Sequence, residues 1–223
     1  MLLVIDHVLT REELSKVRAQ YKKAAFGDGR VTAGELAANV KNNLQLAFNA
    51  AETQTLTGII HQALQRNPQF VSAALPKVVC TPLFNRYVSG MDFGIHVDNA
   101  IRIGELTFRT DVSGTLFLTG PDEYTGGELI IEDTYGVHEI KLPAGSLVLY
   151  PSSSLHRIEP IRDGCRDVAV FWVQSMIRDV ARRSLLFELD ANIQSLRARA
   201  PETPEIVSLA GTYHNLLRMW ADI

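Results

Sequence analysis

Cysteine is scarce in this sequence: Cys80 and Cys165 are the only two in 223 residues, and they form no Cys-x-x-Cys pair. That excludes a zinc ribbon, a thioredoxin-type motif and a secreted disulfide framework, and it suits a reducing compartment. Positive charge is not in excess either. Lys plus Arg total 22 against 25 Asp plus Glu, a formal net charge of -3, so no basic field exists to hold nucleic acid or an anionic membrane surface. No stretch approaches the roughly 20 apolar residues of a membrane span. The opening run Met1-Leu2-Leu3-Val4-Ile5 meets Asp6-His7 without the basic lead of a secretory signal. The expectation is a cytoplasmic protein. What is present is an ordinary globular composition, 46% hydrophobic and 21% charged, with no repeat or low-complexity tract, long enough for a core domain with a small appendage.

The first third reads as helical. Thr10 and Glu13 have capping-box spacing ahead of Leu14, Val17 and Tyr21, and a second helical stripe, Leu56, Ile59, Ile60, Ala63 and Leu64, stops before Asn67-Pro68. Gly27-Asp28-Gly29 lacks the alternating carboxylates of a calcium loop and reads as a turn. From Lys77 to Gln174 the texture changes to short β-rich runs: Lys77 to Val88, His96 to Asp98 and onward, Arg109 to Leu118, Gly127 to Glu132, Val137 to Leu142, Ser146 to Tyr150, Leu155 to Glu159 and Asp167 to Gln174. About eight strands with turn signals at roughly ten-residue intervals are the pattern of an antiparallel sandwich or barrel, so a jelly roll is expected. Helical periodicity then returns in Leu185, Leu186, Leu189, Ile193 and Leu196. It breaks at 200–204, and a last helix starts at Thr203-Pro204 and carries Ile206, Leu209, Tyr213, Leu216, Leu217 and Trp220. The expected division is 1–76 as helical support, 77–176 as the jelly-roll domain and 177–223 as a helical appendage, whose apolar stripes must be covered by the barrel or by a second subunit.

Gly94-Ile95-His96-Val97-Asp98 sets an imidazole and a carboxylate two residues apart, on one face of a strand. His156, on another short strand of the β region, supplies a third donor. Two imidazoles and one carboxylate make the facial triad of non-heme Fe(II) enzymes, although zinc also accepts such ligands, so the triad alone does not choose the metal. Arg166 follows ten residues after His156, beyond an expected turn at Arg162-Asp163-Gly164. A hairpin there would let both side chains face the interior, where a guanidinium needs an anion. A dicarboxylate meets that need.

These residues resemble the iron and 2-oxoglutarate signature of the Fe(II)/2-oxoglutarate-dependent dioxygenases of the prolyl hydroxylase type. Phe84-Asn85-Arg86-Tyr87, Thr115-Leu116-Phe117-Leu118, Gly126-Gly127-Glu128-Leu129 and Pro143-Ala144-Gly145-Ser146 look like the bacterial PKHD-type hydroxylases, over nearly the whole chain. The resemblance implies a double-stranded β-helix in which His96, Asp98 and His156 hold Fe(II) and Arg166 forms a bidentate pair with the distal carboxylate of 2-oxoglutarate. Tyr87 matches a position that contacts the cosubstrate in relatives. O2 is consumed and succinate and CO2 released as a C–H bond is hydroxylated, with ascorbate keeping the iron ferrous. The implied substrate is peptidyl, an amino acid or siderophore-like, and the C-terminal helices are a possible homo-oligomer contact. Two departures stand out: Val168 replaces a Ser that some branches place two residues after the Arg, and Phe93 stands where an aromatic hydroxyl is expected. A cupin-like enzyme with another ion and a non-catalytic sensor are the alternatives.

The remaining features have ordinary readings. His7, His61 and His214 are expected at the surface or at helix caps, and His138-Glu139 as a solvent-facing pair. No Lys-Ser or Lys-Thr follows Gly126-Gly127, which therefore reads as a strand entry with close backbone approach. Arg102 and Arg109 are expected on a solvated rim, Arg178, Arg182 and Arg183 on a solvated helix face, and loops 99–105 and 120–125 around the entrance.

Overall fold

The helices of the first third form as their signals predict. In the computed structural model, which describes residues 1–103, 107–134, 136–200 and 203–223, strand β1 (Leu3–Ile5) leads into α1 (Arg11–Lys23), and the Thr10 and Glu13 capping box is closed at both ends. This third also contains strands that the helical periodicity does not announce. β2 (Phe26–Asp28) runs through the expected turn and continues as a 3-10 segment, Gly29–Thr32, capped by Asp28. Then come α2 (Glu35–Ala38), β3 (Lys41–Asn42), β4 (Leu44–Leu46), α3 (Ala51–Arg66) and α4 (Pro68–Ala74).

The β region follows as β5 (Pro76–Val79), β6 (Leu83–Val88), β7 (Asp92–His96), β8 (Ile101–Arg102), β9 (Phe108–Arg109), β10 (Val112–Phe117), β11 (Tyr124–Gly126), β12 (Leu129–Asp133), β13 (Gly136–Ile140), β14 (Leu147–Pro151), β15 (Leu155–Ile158) and β16 (Ile161–Ser175). One sheet is ordered β1-β14-β10-β16-β6-β4-β2, with β5 and β11 also on β16; a second is ordered β13-β12-β15-β7-β3; β8 and β9 pair alone. All pairings are antiparallel. The fold is the expected jelly roll with flanking helices.

Three layers result, because the large sheet is apolar on both faces. One face packs Phe84, Leu116, Leu147, Leu149 and Phe171 against Val17, Tyr21, Leu56, Ile60 and Phe70 of α1, α3 and α4. The other packs Tyr87, Phe117, Tyr150 and Val168 against Leu129, Ile131 and Ile158 of the second sheet. A third cluster seats α5 (Val180–Arg199) and α6 (Pro204–Trp220) through Leu186, Tyr213, Leu217 and Trp220 on Leu75 and Ile177. Leu185 and Leu196 of the expected α5 stripe are exposed instead. Thr203 occupies the N-cap of α6 without a side-chain cap bond. Residues 201 and 202 of the expected break, and residues 104 and 105 of the expected entrance loop, lie outside the described residues.

The expected hairpin at 162–164 does not exist. β16 runs unbroken through Arg162-Asp163-Gly164, and the chain crosses at Glu159-Pro160 from β15 in one sheet to β16 in the other. His156 and Arg166 therefore reach one cavity from opposite sheets rather than along a ladder. Gly164 has φ +83 because β11 approaches closely there: an added Cβ would lie 2.3 Å from the Glu123 carbonyl oxygen. Two arginine expectations also change. Arg109 is mostly buried in a pair with Asp111, Nε to Oδ1 2.6 Å. Arg183 is buried and donates to the Ile177 carbonyl at 2.7 Å, so it fastens the start of α5 instead of lying on a wet face.

Candidate active site

Antiparallel register sets His96 on β7 directly opposite His156 on β15, with ring centroids 4.2 Å apart. β7 ends at His96, so Asp98 is not on the strand as the two-residue spacing suggests; it lies just beyond. The chain still brings its carboxylate to the imidazoles. One ligand atom from each of His96, Asp98 and His156 lies within 4.8 Å of the others, and His156 Nε2 is 4.0 Å from Asp98 Oδ2. Each Nδ1 is engaged by a backbone carbonyl, that of Gly94 at 2.8 Å from His96 and that of Ser154 at 3.0 Å from His156. With both Nδ1 atoms donating, the Nε2 lone pairs are directed to a common point, as metal binding requires. Burial first, and the adjacent His156 second, push the His96 imidazole down to about 4, while the Gly94 carbonyl and Asp98 pull the other way. His96 is therefore neutral at neutral pH.

Ser113, which the sequence reading missed, and Phe93, whose role it did not foresee, hold this triad. Ser113 Oγ donates to Asp98 Oδ2 at 2.5 Å and lies 2.8 Å from Ser152 Oγ; a serine on an apolar strand carries no signal of its own. Phe93 stacks on the His96 ring, with centroids 3.7 Å apart and planes at 15°. The aromatic hydroxyl missing there is replaced by a packing role that fixes the imidazole plane.

Arg166 lies in the same cavity, contributed by the large sheet, with Tyr87 opposite it in the register. Its exposure is 0%. The guanidinium sits 5.3 Å from the Tyr87 and Phe117 ring centroids, Nε and Nη2 have no hydrogen-bond partner, and no carboxylate pairs with it among the described residues. A buried cation in this state is costly, and an anion entering the cavity removes the cost. Tyr124 Oη is likewise buried without a partner, and Gly127 is tight against both residues: an added Cβ would come within 3.1 Å of Arg166 Cδ and of Tyr124 Cε2. The close backbone approach expected at Gly126-Gly127 thus serves the packing of Arg166. Val168 lines the cavity without a polar group.

The donor set fits the group the resemblance implies: two neutral imidazoles and one carboxylate suit ferrous iron, and the unpartnered guanidinium suits a dicarboxylate. The cavity opens past Thr32, Gly34, Ala37, Val97, Asn99 and Arg102. None of the expected entrance loop 120–125 lines it; that segment belongs to the Arg166 end, and Thr32, Ala33, Gly34 and Ala37 take its place. His61 bonds the Cys80 carbonyl at 3.1 Å and His138 pairs with Asp133 at 2.8 Å, both outside the cavity.

Comparison with known proteins agrees with this fold. A family model described as the 2OG-Fe(II) oxygenase superfamily matches residues 82–174, and one described as the PKHD-type hydroxylase C-terminal domain matches residues 181–222. The chain is an Fe(II)- and 2-oxoglutarate-dependent dioxygenase. More narrowly, it belongs to the PKHD-type hydroxylases: it is 51% identical over 228 residues to one from Xanthomonas axonopodis pv. citri and 53% identical over 227 residues to one from Gluconobacter oxydans, covering 100% of both chains in each case. Among solved structures, a Pseudomonas putida prolyl-4-hydroxylase superposes with a TM-score of 0.54 at 17% identity, over 78% of this chain and 92% of that one. A Trichoplax adhaerens prolyl hydroxylase, in complex with a hypoxia inducible factor oxygen degradation domain peptide fragment, superposes with 0.58 at 16% identity, over 82% and 86%. These two likenesses concern the fold. No helix among the described residues is long and apolar enough to cross a membrane.

Proposed function

We propose that His96, Asp98 and His156 hold Fe(II), that Arg166 receives the distal carboxylate of 2-oxoglutarate with the Tyr87 ring beside it, and that the enzyme hydroxylates a C–H bond of a small-molecule or peptide substrate. The observation that carries this is the fully buried Arg166 guanidinium, without an acid partner among the described residues, in the cavity that also holds the triad. The iron and cosubstrate, when bound, supply the oxidative decarboxylation to succinate and CO2. The chain's own residues orient and enclose. Gly94 and Ser154 carbonyls fix the two imidazole tautomers, Ser113 orients the Asp98 carboxylate, and Val168, Val170 and Leu129 keep water from the space between Arg166 and the triad. Residues 77–176 carry the triad and Arg166, residues 1–76 back the large sheet and add Thr32, Gly34, Ala37 and Lys41 to the cavity wall, and residues 177–223 form the appendage. Exposed Leu185, Leu196, Val207 and Met219 on α5 and α6 are the surface available to a second copy. Ascorbate serves as the reductant, and the paucity of cysteine supports a cytoplasmic setting.

The direct test is succinate release by purified protein. It is expected only when Fe(II), O2 and 2-oxoglutarate are all present, and substituting Zn(II) should abolish it. A sensor would bind 2-oxoglutarate and release no succinate; turnover indifferent to the oxoacid would point to another metalloenzyme.

Ser113 offers a milder perturbation. In Ser113→Ala the Asp98 carboxylate loses its donor, and such supporting bonds are worth about 10- to 100-fold in metal affinity. Competition against a chelator should show that loss, with circular dichroism unchanged; wild-type affinity would mean that Ser113 does not position the ligand.

A further inference from the structure

The cavity has two ends, ordered by the strand register. Arg166, Val168, Val170 and Trp172 alternate along the cavity face of β16, about 20 Å from first to last. Ser113, which bonds Asp98, stands opposite Trp172. The triad therefore lies away from Arg166, and the space beyond it, toward Trp172, is the outer end.

That outer end is positive without compensation. Lys41 is 5% exposed and lines the cavity; its Nζ donates to Thr32 Oγ1 at 3.1 Å and Gln45 Oε1 at 3.0 Å, both neutral. Asp28, an acid that acts on it from a distance, is engaged by Arg30. Arg102 lies with its guanidinium 4.4 Å from the Trp172 ring centroid and has no acid partner among the described residues. Trp172 Nε1, on the same lining, is buried with no hydrogen-bond partner. The inner end does not supply the missing charge. A ferrous dication, the 2-oxoglutarate dianion, the Asp98 carboxylate and the Arg166 guanidinium together are neutral. Lys41 and Arg102 are left over.

Resting on the function proposed above, we infer that the substrate to be hydroxylated is itself a carboxylic acid. Its carboxylate is received in the outer end by Arg102, with Lys41 and the Trp172 N–H completing the cradle. Charged hydrogen bonds from a planar guanidinium match a carboxylate's two oxygens. Exposed apolar side chains adjoin this lining: Val97 is part of it, Val31 precedes Thr32, and Ile101 and Ile103 flank Arg102, with Val31 and Ile103 82% and 86% exposed. An acid with an apolar flank fits both features, its head inside and its body across the rim.

The test uses matched pairs of acids and amides: N-acetyl derivatives of leucine, phenylalanine, proline and lysine, each as free acid and as carboxamide. They are titrated calorimetrically into anaerobic protein loaded with Fe(II) and saturating 2-oxoglutarate, so that Arg166 is already occupied. At least one acid is expected to bind about tenfold or more tightly than its amide. Arg102→Gln should lower the affinity for that acid to that for its amide, while the amide's own affinity is unmoved. Lys41→Gln, which keeps a donor for Gln45, should give a partial loss. No pair preferring the acid, or an acid preference that survives in Arg102→Gln, overturns the inference. Titration of 2-oxoglutarate into the same Fe(II) protein separates the two levels. If 2-oxoglutarate itself fails to bind, the underlying function is wrong; if it binds and the acids do not, only the substrate class is.

Discussion

Arg166→Met is expected to remove 2-oxoglutarate binding and, at the same time, to make the ligand-free protein more stable. Both effects have one cause. The guanidinium is fully buried with two nitrogens unpartnered, so the ligand-free fold carries a desolvated charge that methionine, of similar length and without charge, does not. Loss of one partner of a buried pair costs about 3–5 kcal/mol, which corresponds to roughly a hundredfold to several thousandfold in the 2-oxoglutarate dissociation constant. Calorimetry should report that weakening, and thermal melts should show a raised midpoint without ligand and none of the rise that 2-oxoglutarate gives wild type. Fe(II) affinity should stay close to wild type, because the triad shares no hydrogen bond with Arg166. A variant that binds 2-oxoglutarate normally would remove the guanidinium from the site.

The parts of this architecture legible in the sequence are those written in periodicity and in expensive residues. Short β-rich runs between turn signals identified the β region, and the Thr10 and Glu13 box identified the start of α1, because both are local. The triad and Arg166 were legible because histidine, aspartate and arginine on apolar strands need a reason to be there. Their arrangement was harder to read. Asp163-Gly164 has the composition of a turn, yet Gly164 lies within β16 and leaves room for the β11 backbone. Glycine for a turn and glycine for close approach look alike until the neighbouring strand is placed. Inward-facing His156 and Arg166 follow from the crossover between sheets rather than from a hairpin, so the correct facing came from an incorrect pairing.

Lys41 shows the opposite failure. Lysine is read as solvent-facing by default, and nothing in Val40-Lys41-Asn42 marks a two-residue strand. Only the pairing of β3 with β7, which sets Lys41 opposite Phe93, carries it into the cavity. Burial there, with Arg102 nearby, pushes its ammonium down to about 8. The strands of the first third were illegible for the same reason: β1 to β4 have two or three residues each, too few to display a period, and they exist because β14, β6 and β7 offer edges to pair with.

Asp98→Asn is the more stringent test of the metal centre, because it changes charge and almost nothing else. The amide has nearly the volume of the carboxylate and keeps an oxygen able to accept from Ser113 Oγ, so fold and melting behaviour of the metal-free protein should be preserved. What disappears is the attraction between an anion and a dication. At about 4 Å and an effective dielectric near 20 this attraction is of order 8 kcal/mol before desolvation is subtracted. Even a third of it is about two decades of affinity. Iron retained after gel filtration should therefore fall from near one per chain to near zero, and succinate formation with it. His96→Ala should give the same loss by removing a lone pair instead of a charge. If the two variants kept stoichiometric iron, the ion would have to be held elsewhere, and the convergence of His96, Asp98 and His156 within 4.8 Å would be a structural hydrogen-bonding cluster rather than a ligand set.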